Sequence, residues 1–420
     1  MEIILGSFLS FIHLGLILIS FLFFYRYPSK KIKLSLSLIF LIAFTLYSIP
    51  VEFSKIIYND PWTTFDHYFI SLNILAILGF ILGNFSVKNK IQYHNFNVST
   101  GNSNIIILFS LFIFFIFLDR QLYYLDYNLL NIFKAYLIES DKFENEKSTL
   151  DVILLSITSA TALFYYIIIR KFNNKKLFVI YLFPIILIAF FLLVRGGRNP
   201  FIIFTLPLIV SEFINRKISV KYIFIGILIL FPLTHFIAVV RGYGFEKILE
   251  YSTFNANYNP VDSEFGAPYR VLKIYFEGVI NYPLQFGKTY FFDPIINLMP
   301  REIFPSRPLT IATRFSIDYF MNSKEMFGLG FSPILEVILN FTFLGILPFF
   351  CIVRYLLIRL DNMTLDTKFK YFGYLLLFPI IINFQRIDFA VCVKLYLIEL
   401  IWILGLIYLS RFKIKIKPIR

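Results

Sequence analysis

The feature that most constrains this chain is a series of separated apolar runs, each long enough to cross a bilayer, in place of apolar residues spaced along one helix face. At about 1.5 Å of rise per residue a helix is the economical way across a hydrocarbon core of about 30 Å, because lipid offers no partner for an unpaired backbone group. The runs fall at roughly 3–24, 34–50, 67–85, 104–118, 149–169, 177–194, 200–215, 222–240, 333–353, 371–385 and 389–410. The expected fold is therefore an all-α polytopic membrane protein with about eleven transmembrane helices. A 20% aromatic content, with 54 Phe and 27 Tyr, suits lipid-facing Phe and Tyr at headgroup level, and Tyr in sugar-contacting loops as a further use.

The formal charge of +14 raises the question of nucleic acid, and the distribution of the basic residues answers it. With the first loop, RYPSKKIK at 26–33, placed in the cytoplasm, the segments on that side collect 22 of the 40 Lys and Arg. That is the positive-inside pattern, with the N-terminus outside and the tail RFKIKIKPIR inside, so nucleic acid is not an expected partner. The opening MEIILGSFL carries Glu2 and no preceding Lys or Arg, the wrong charge order for a cleaved signal peptide, and reads as a retained first helix. Cys351 and Cys392 stand alone in or beside apolar spans, and no Cys/His spacing resembles a metal site.

Three regions follow: helices 1–8 over 1–240, a long extracytoplasmic loop over 241–332, and helices 9–11 with the basic tail over 333–420. The loop is too long for a connector. Two stretches in it, 268–281 and 308–322, carry apolar residues at three-to-four spacing near a Pro and are expected to be amphipathic helices on or dipping into the outer membrane surface. No internal repeat is visible, which speaks against many secondary transporters.

The outer turn VRGGRNPF places Arg195 and Arg198 around two glycines, and the long loop opens with VVRGYGF, which holds Arg241 and Tyr243. Glycine lets the backbone approach a ligand while guanidinium forks converge on phosphate oxygens. Anchoring of helix ends among lipid headgroups is the plainer alternative. MPREIFPSRP adds Arg301 and Arg307 in a stretch that its prolines keep from being one helix, and Arg314 follows. Asp293, Glu302 and Asp318 could neutralise these cations as ordinary surface pairs.

Glycosyl transfer needs a group to take the acceptor hydroxyl proton, and a carboxylate in a partly apolar cavity suits that task. Glu336, in GLGFSPILEVILNFTFLG, is expected about one helical turn into the ninth span. Lys394 and Glu399 fall deeper, in the last span, where charge is costly and partners on other helices are expected. His235 reads as a packing residue.

The RG turns after spans 6 and 8, the PREIFPSRP stretch, the sequence opening span 9 and the large outer loop together resemble the O-antigen polymerases, the Wzy-type oligosaccharide repeat-unit polymerases. The resemblance implies a bundle of the GT-C type with a long periplasmic loop in the bacterial inner membrane. It implies metal-independent, cofactor-free transfer of a growing glycan from undecaprenyl diphosphate onto a new lipid-linked repeat unit. Arg198 and Arg241 would hold the diphosphate, with Arg195, Tyr243, Arg301, Arg307 and Arg314 shaping the donor and acceptor sites, Arg241 also taking part in catalysis and Glu336 acting as base. Implied partners are undecaprenyl-diphosphate-linked oligosaccharides, membrane lipids, a chain-length regulator and the O-antigen flippase. The spacing of ten residues between an arginine and a glycine described in some members is not met after Arg241, where position 252 is Ser. The alternatives are an O-antigen ligase, disfavoured because the long loop holds no histidine, and a lipid-linked oligosaccharide flippase, disfavoured because charge collects in one outer loop.

Overall fold

A computed structural model describes residues 2–26, 34–86, 103–124, 127, 149–172, 174–194, 198–216, 260–262, 264–299, 304, 306–322 and 330–411, which are helical with no strand among them. The helices are α1 (Glu2–Arg26), α2 (Leu36–Ser48), α3 (Pro50–Tyr58), α4 (Thr64–Leu82), α5 (Ser103–Tyr124), α6 (Thr149–Ile169), α7 (Lys175–Val194) and α8 (Arg198–Arg216). After these come α9 (Ala267–Phe276), α10 (Lys288–Phe291), α11 (Asp293–Asn297), α12 (Ile311–Asn322), α13 (Pro333–Phe341), α14 (Ile346–Asp361), α15 (Lys368–Asn383) and α16 (Phe389–Leu409).

Among the described residues 7 helices are long and apolar enough to cross a membrane, or 8 if α2 and α3, bent by 42°, form one span. The bend falls at Pro50, whose missing N–H removes a helical hydrogen bond. The expected runs at 200–215 and 371–385 are helical but shorter, and 222–240 lies outside the described residues. The expected ninth span is broken. Ser332 caps α13, which ends at Thr342 with φ +62°, and the membrane-long stretch is Phe343–Asp361. A left-handed β-branched residue is strained, so the break needs the surrounding packing to hold it.

The chain divides into two compact units. The first comprises Met1–Gln92, Asn255–Met363 and Ile380–Lys394. Here α4 packs against α1 and α14, and Gly79 and Gly83 allow the close approach to α14. A Cβ at Gly79 would lie 2.3 Å from the Leu347 carbonyl oxygen, and one at Gly83 2.6 Å from the Arg354 Cβ. This is the small-residue spacing that lets membrane helices touch through their backbones. Arg354, buried in the span, donates to Asn84 through Nε at 2.7 Å and sits over the Phe80 ring. Asp361 accepts from the Leu36 N–H and the Ser37 hydroxyl, at 2.8 and 2.6 Å, and so satisfies the first turn of α2.

Both expected amphipathic helices form, as α9 and α12, but their apolar faces turn into the protein. Val271 and Leu272 of α9 and Phe315 of α12 are wholly buried, and the Tyr269 hydroxyl donates to Asp66 of α4 at 2.7 Å. The exposed apolar surface of the loop lies instead on Phe286, Phe291, Phe292 and Ile295, each more than 60% exposed.

The second unit comprises Tyr93–Phe254, Thr364–Pro379 and Leu395–Arg420. In it α6 packs on α5 and α8 through a buried polar stripe, Ser156, Thr158, Ser159 and Thr161. Ser159 donates to the Ile203 carbonyl at 2.9 Å, and Trp402 Nε1 donates to Thr161 at 2.8 Å. Hydrogen bonds of this kind join helices where lipid offers no hydrophobic gain from association. Glu399 is fully buried in this unit.

Candidate functional site

The site residues of the first unit gather at the N-terminus of α16. Four N–H groups at a helix start have no partner within the helix, and here two acidic side chains supply acceptors. Asp388, one residue before the helix, accepts from the Val391 N–H at 2.9 Å through Oδ1. Its Oδ2 accepts from the Ala312 N–H of α12 at 3.1 Å, so one carboxyl caps two helices. Glu336 reaches across from α13 and accepts from the Phe389 N–H at 3.0 Å.

Other bonds tie the loop helices to this point. Asn340, one turn beyond Glu336, donates through Nδ2 to the Thr289 hydroxyl of α10 at 2.8 Å and to the Glu336 carbonyl at 2.7 Å. The Phe331 N–H donates to the Arg386 carbonyl, and the Gln285 N–H to the Leu339 carbonyl, both at 2.7 Å. The Tyr290 ring lies 5.0 Å from Phe349 and 5.3 Å from Phe389. Segments 285–297, 310–315, 331–340 and 383–391 thus meet as one assembly within the first unit.

Its polar groups are poorly satisfied. Glu336 Oε1, Asn340 Oδ1, Asp293 Oδ1 and the Tyr290 hydroxyl are buried and without a hydrogen bond among the described residues, as are both side-chain polar atoms of Asn383. A buried polar atom left so costs about 1–3 kcal/mol, which stable proteins avoid except where function requires it. Glu336 precedes the membrane-long stretch and its side chain is wholly enclosed. Burial first, and then the charges of Asp388 and Asp293, push its proton affinity well above the ordinary glutamate range against the pull of Thr289 and the Phe389 N–H. Burial also raises Asp388, against hydrogen bonds from Thr310, Val391 and Ala312. Asp293 is raised by burial and by Asp388, while Lys288 and Arg314 oppose the shift.

Of the residues singled out in the sequence, Glu336 and Arg314 are both coupled to Asp293: the Arg314 charge lowers the proton affinity of Asp293, and the Asp293 charge raises that of Glu336. Arg307 is engaged otherwise. Its Nη1 donates to the Asn297 and Met299 carbonyls at 3.0 and 2.7 Å and so fastens the proline-rich stretch to the end of α11. Arg198 is the first residue of α8. Arg195, Arg241, Tyr243, Arg301, Glu302 and His235 lie outside the described residues. Asp318, considered above as a neutralising charge, accepts from the Tyr282 hydroxyl.

Sequence reasoning missed Asp388, Asn340, Tyr290 and the position of Asp293. Asp388 had a readable signal, an acid directly before a long apolar run. The others had none, because their meaning depends on α10 folding back on α13. Among the described residues no group of three or more His, Cys, Asp or Glu is arranged to hold a metal ion.

The family model described as O-antigen polysaccharide polymerase Wzy matches residues 3–417. No curated protein and no solved structure matches the chain.

Proposed function

The chain belongs to the O-antigen polysaccharide polymerase Wzy family, and from that membership we propose how its residues join lipid-linked repeat units. The match over nearly the whole chain is the observation that carries the polymerase function. The finer reading is that the donor glycan arrives on undecaprenyl diphosphate at the periplasmic face of the inner membrane, with the N-terminus periplasmic and the C-terminus cytoplasmic. The basic loops at alternate helix boundaries support that orientation.

In this reading an acceptor sugar hydroxyl attacks the anomeric carbon of the donor, the bond from that carbon to the diphosphate oxygen breaks, and its electron pair leaves with the polyprenyl diphosphate. The reaction needs cations for the leaving diphosphate and a base for the hydroxyl proton. Arg198 and Arg241 supply guanidinium forks for the diphosphate, and Arg195, Tyr243, Arg301, Arg307 and Arg314 shape the sugar-binding surroundings. The base is drawn from the carboxyl assembly built around Glu336, which the burial and mutual repulsion of Glu336, Asp388 and Asp293 support. Transfer proceeds without a metal in this scheme, the arginines carrying the leaving-group charge.

The test is a lipopolysaccharide gel from a strain lacking the protein, before and after complementation. A polymerase predicts loss of the ladder with one repeat unit still attached to the core. Bare core with long lipid-linked polymer would indicate a ligase instead, and single units held on the cytoplasmic side a flippase.

A further inference from the structure

Three carboxyls share the assembly, and they differ in what can reach them. Glu336 and Asp388 are 0% exposed and spend an oxygen or more on backbone N–H groups, with Glu336 Oε1 left over, whereas Asp293 is 6% exposed and its buried Oδ1 has no hydrogen bond among the described residues. Asp293 is the first residue of α11, whose N-cap position, Phe292, makes no side-chain capping bond.

Its surroundings change character over a few residues. Two half-buried cations, Lys288 and Arg314, carry charges that act on the Asp293 carboxyl. Its neighbours in the chain, Phe291, Phe292 and Ile295, are exposed apolar residues, at 65, 64 and 63%. Phe343 and Leu344, which open the membrane-long stretch Phe343–Asp361, are exposed as well, at 47 and 86%. A buried carboxyl acted on by two cations, with exposed apolar residues next to it in the chain, matches an amphiphile in which a diphosphate joins a sugar to a hydrocarbon chain. Other polar atoms of the assembly, Glu336 Oε1, Asn340 Oδ1 and the Tyr290 hydroxyl, are buried and without a hydrogen bond among the described residues.

We propose that Asp293 is the catalytic residue that takes the acceptor hydroxyl proton, with Lys288 and Arg314 beside the leaving diphosphate and Glu336 and Asp388 acting through Asp293 as positioning residues. The step balances: the hydroxyl oxygen bonds to the anomeric carbon, the diphosphate leaves with the electron pair, and the proton passes to an Asp293 oxygen and then to water. The groups facing Asp293 set its proton affinity: Lys288 and Arg314 lower it, while Asp388 and burial raise it, and Glu336 is repelled by it in turn. Burial wins, so the base is half-deprotonated above the ordinary aspartate range, and the acid limb of the rate moves with it.

This inference rests on the polymerase reading, and the experiment separates the two. Purified full-length protein in proteoliposomes is given the lipid-linked repeat unit isolated from the deletion strain, and chain growth is followed against pH. Asp293→Asn is expected to lower kcat about 10²–10⁴-fold, the usual range for a lost general base, with KM within about threefold. Asp293→Glu is expected to keep measurable turnover with its acid limb displaced. Turnover of a folded Asp293→Asn within about threefold of the parent overturns the assignment and leaves the polymerase reading intact. If Asp293→Asn is not recovered folded, Asp293→Glu decides: a displaced acid limb supports the assignment and an unmoved one overturns it. Absence of any polymer from the parent protein defeats the polymerase reading itself, and the inference with it.

Discussion

His13 of α1 and Glu52 of α3 meet at 2.5 Å, Nδ1 to Oε1, with both side chains wholly buried and the two residues 39 positions apart in the chain. Both belong to candidate membrane segments, where an ionisable group without a partner is expensive. Removing one partner with His13→Ala or Glu52→Ala is expected to cost about 3–5 kcal/mol, and replacing both with leucine to recover most of that loss. Thermal unfolding of the four proteins in one detergent checks the cycle. Additive losses would mean that the contact contributes nothing as a pair.

The Arg198→Ala and Arg241→Ala variants are expected to lower polymerisation by two to three orders of magnitude, the effect of losing a charge-assisted contact made mainly in the transition state. Membrane abundance should hold. Arg307→Ala is expected to behave differently, because Arg307 shapes the sugar-binding surroundings only indirectly, by holding the Asn297 and Met299 carbonyls: any shortening of the ladder should come with a lower melting temperature and less protein. Ladder length and immunoblot from the same cells distinguish the two patterns.

Asp388→Ala removes acceptors from two helix starts, at Val391 and at Ala312. With about 0.5–2 kcal/mol per cap, the expected loss is on the order of 2 kcal/mol, read as a fall in melting temperature. Asp388→Asn keeps one acceptor oxygen and should lie between the two. Equal melting of Asp388→Ala and the parent would show that neither cap matters.

Glu336 gives a pH dependence of stability whose sign follows from its raised proton affinity. The folded state holds the proton that the unfolded chain releases near the ordinary glutamate value of 4.5, so folded protein binds more protons in the window above it. Its stabilising contribution is complete below that value and is lost as pH rises toward the folded value. Glu336→Gln, neutral throughout and still able to accept from Phe389, should melt with a flatter pH profile and be no less stable at pH 7. Parallel profiles for the two proteins would refute this.

Much of the architecture was legible in the sequence because the bilayer imposes a simple rule: a span must be long, apolar and helical. The expected runs within the described residues fall on helices, of which 7, or 8 with the bent pair, are long and apolar enough to cross a membrane. The exceptions are instructive. Periodicity located α9 and α12 but not what their apolar faces meet, since Val271 and Phe315 would pattern alike against lipid or protein. The run through 333–353 read as one span, yet Thr342 divides it, so Glu336 sits on a separate buried helix.

By itself the sequence determined the helical class, the alternation of basic loops and the arginine-rich segments, all of which depend on composition within short windows. Only the tertiary structure decided that Asp293, Glu336 and Asp388 share one assembly, that Arg307 is spent on carbonyls and that His13 finds Glu52. Each of those facts joins residues far apart in the chain through a few ångströms of space, and the energy of a buried carboxyl depends on what surrounds it, not on its neighbours in sequence.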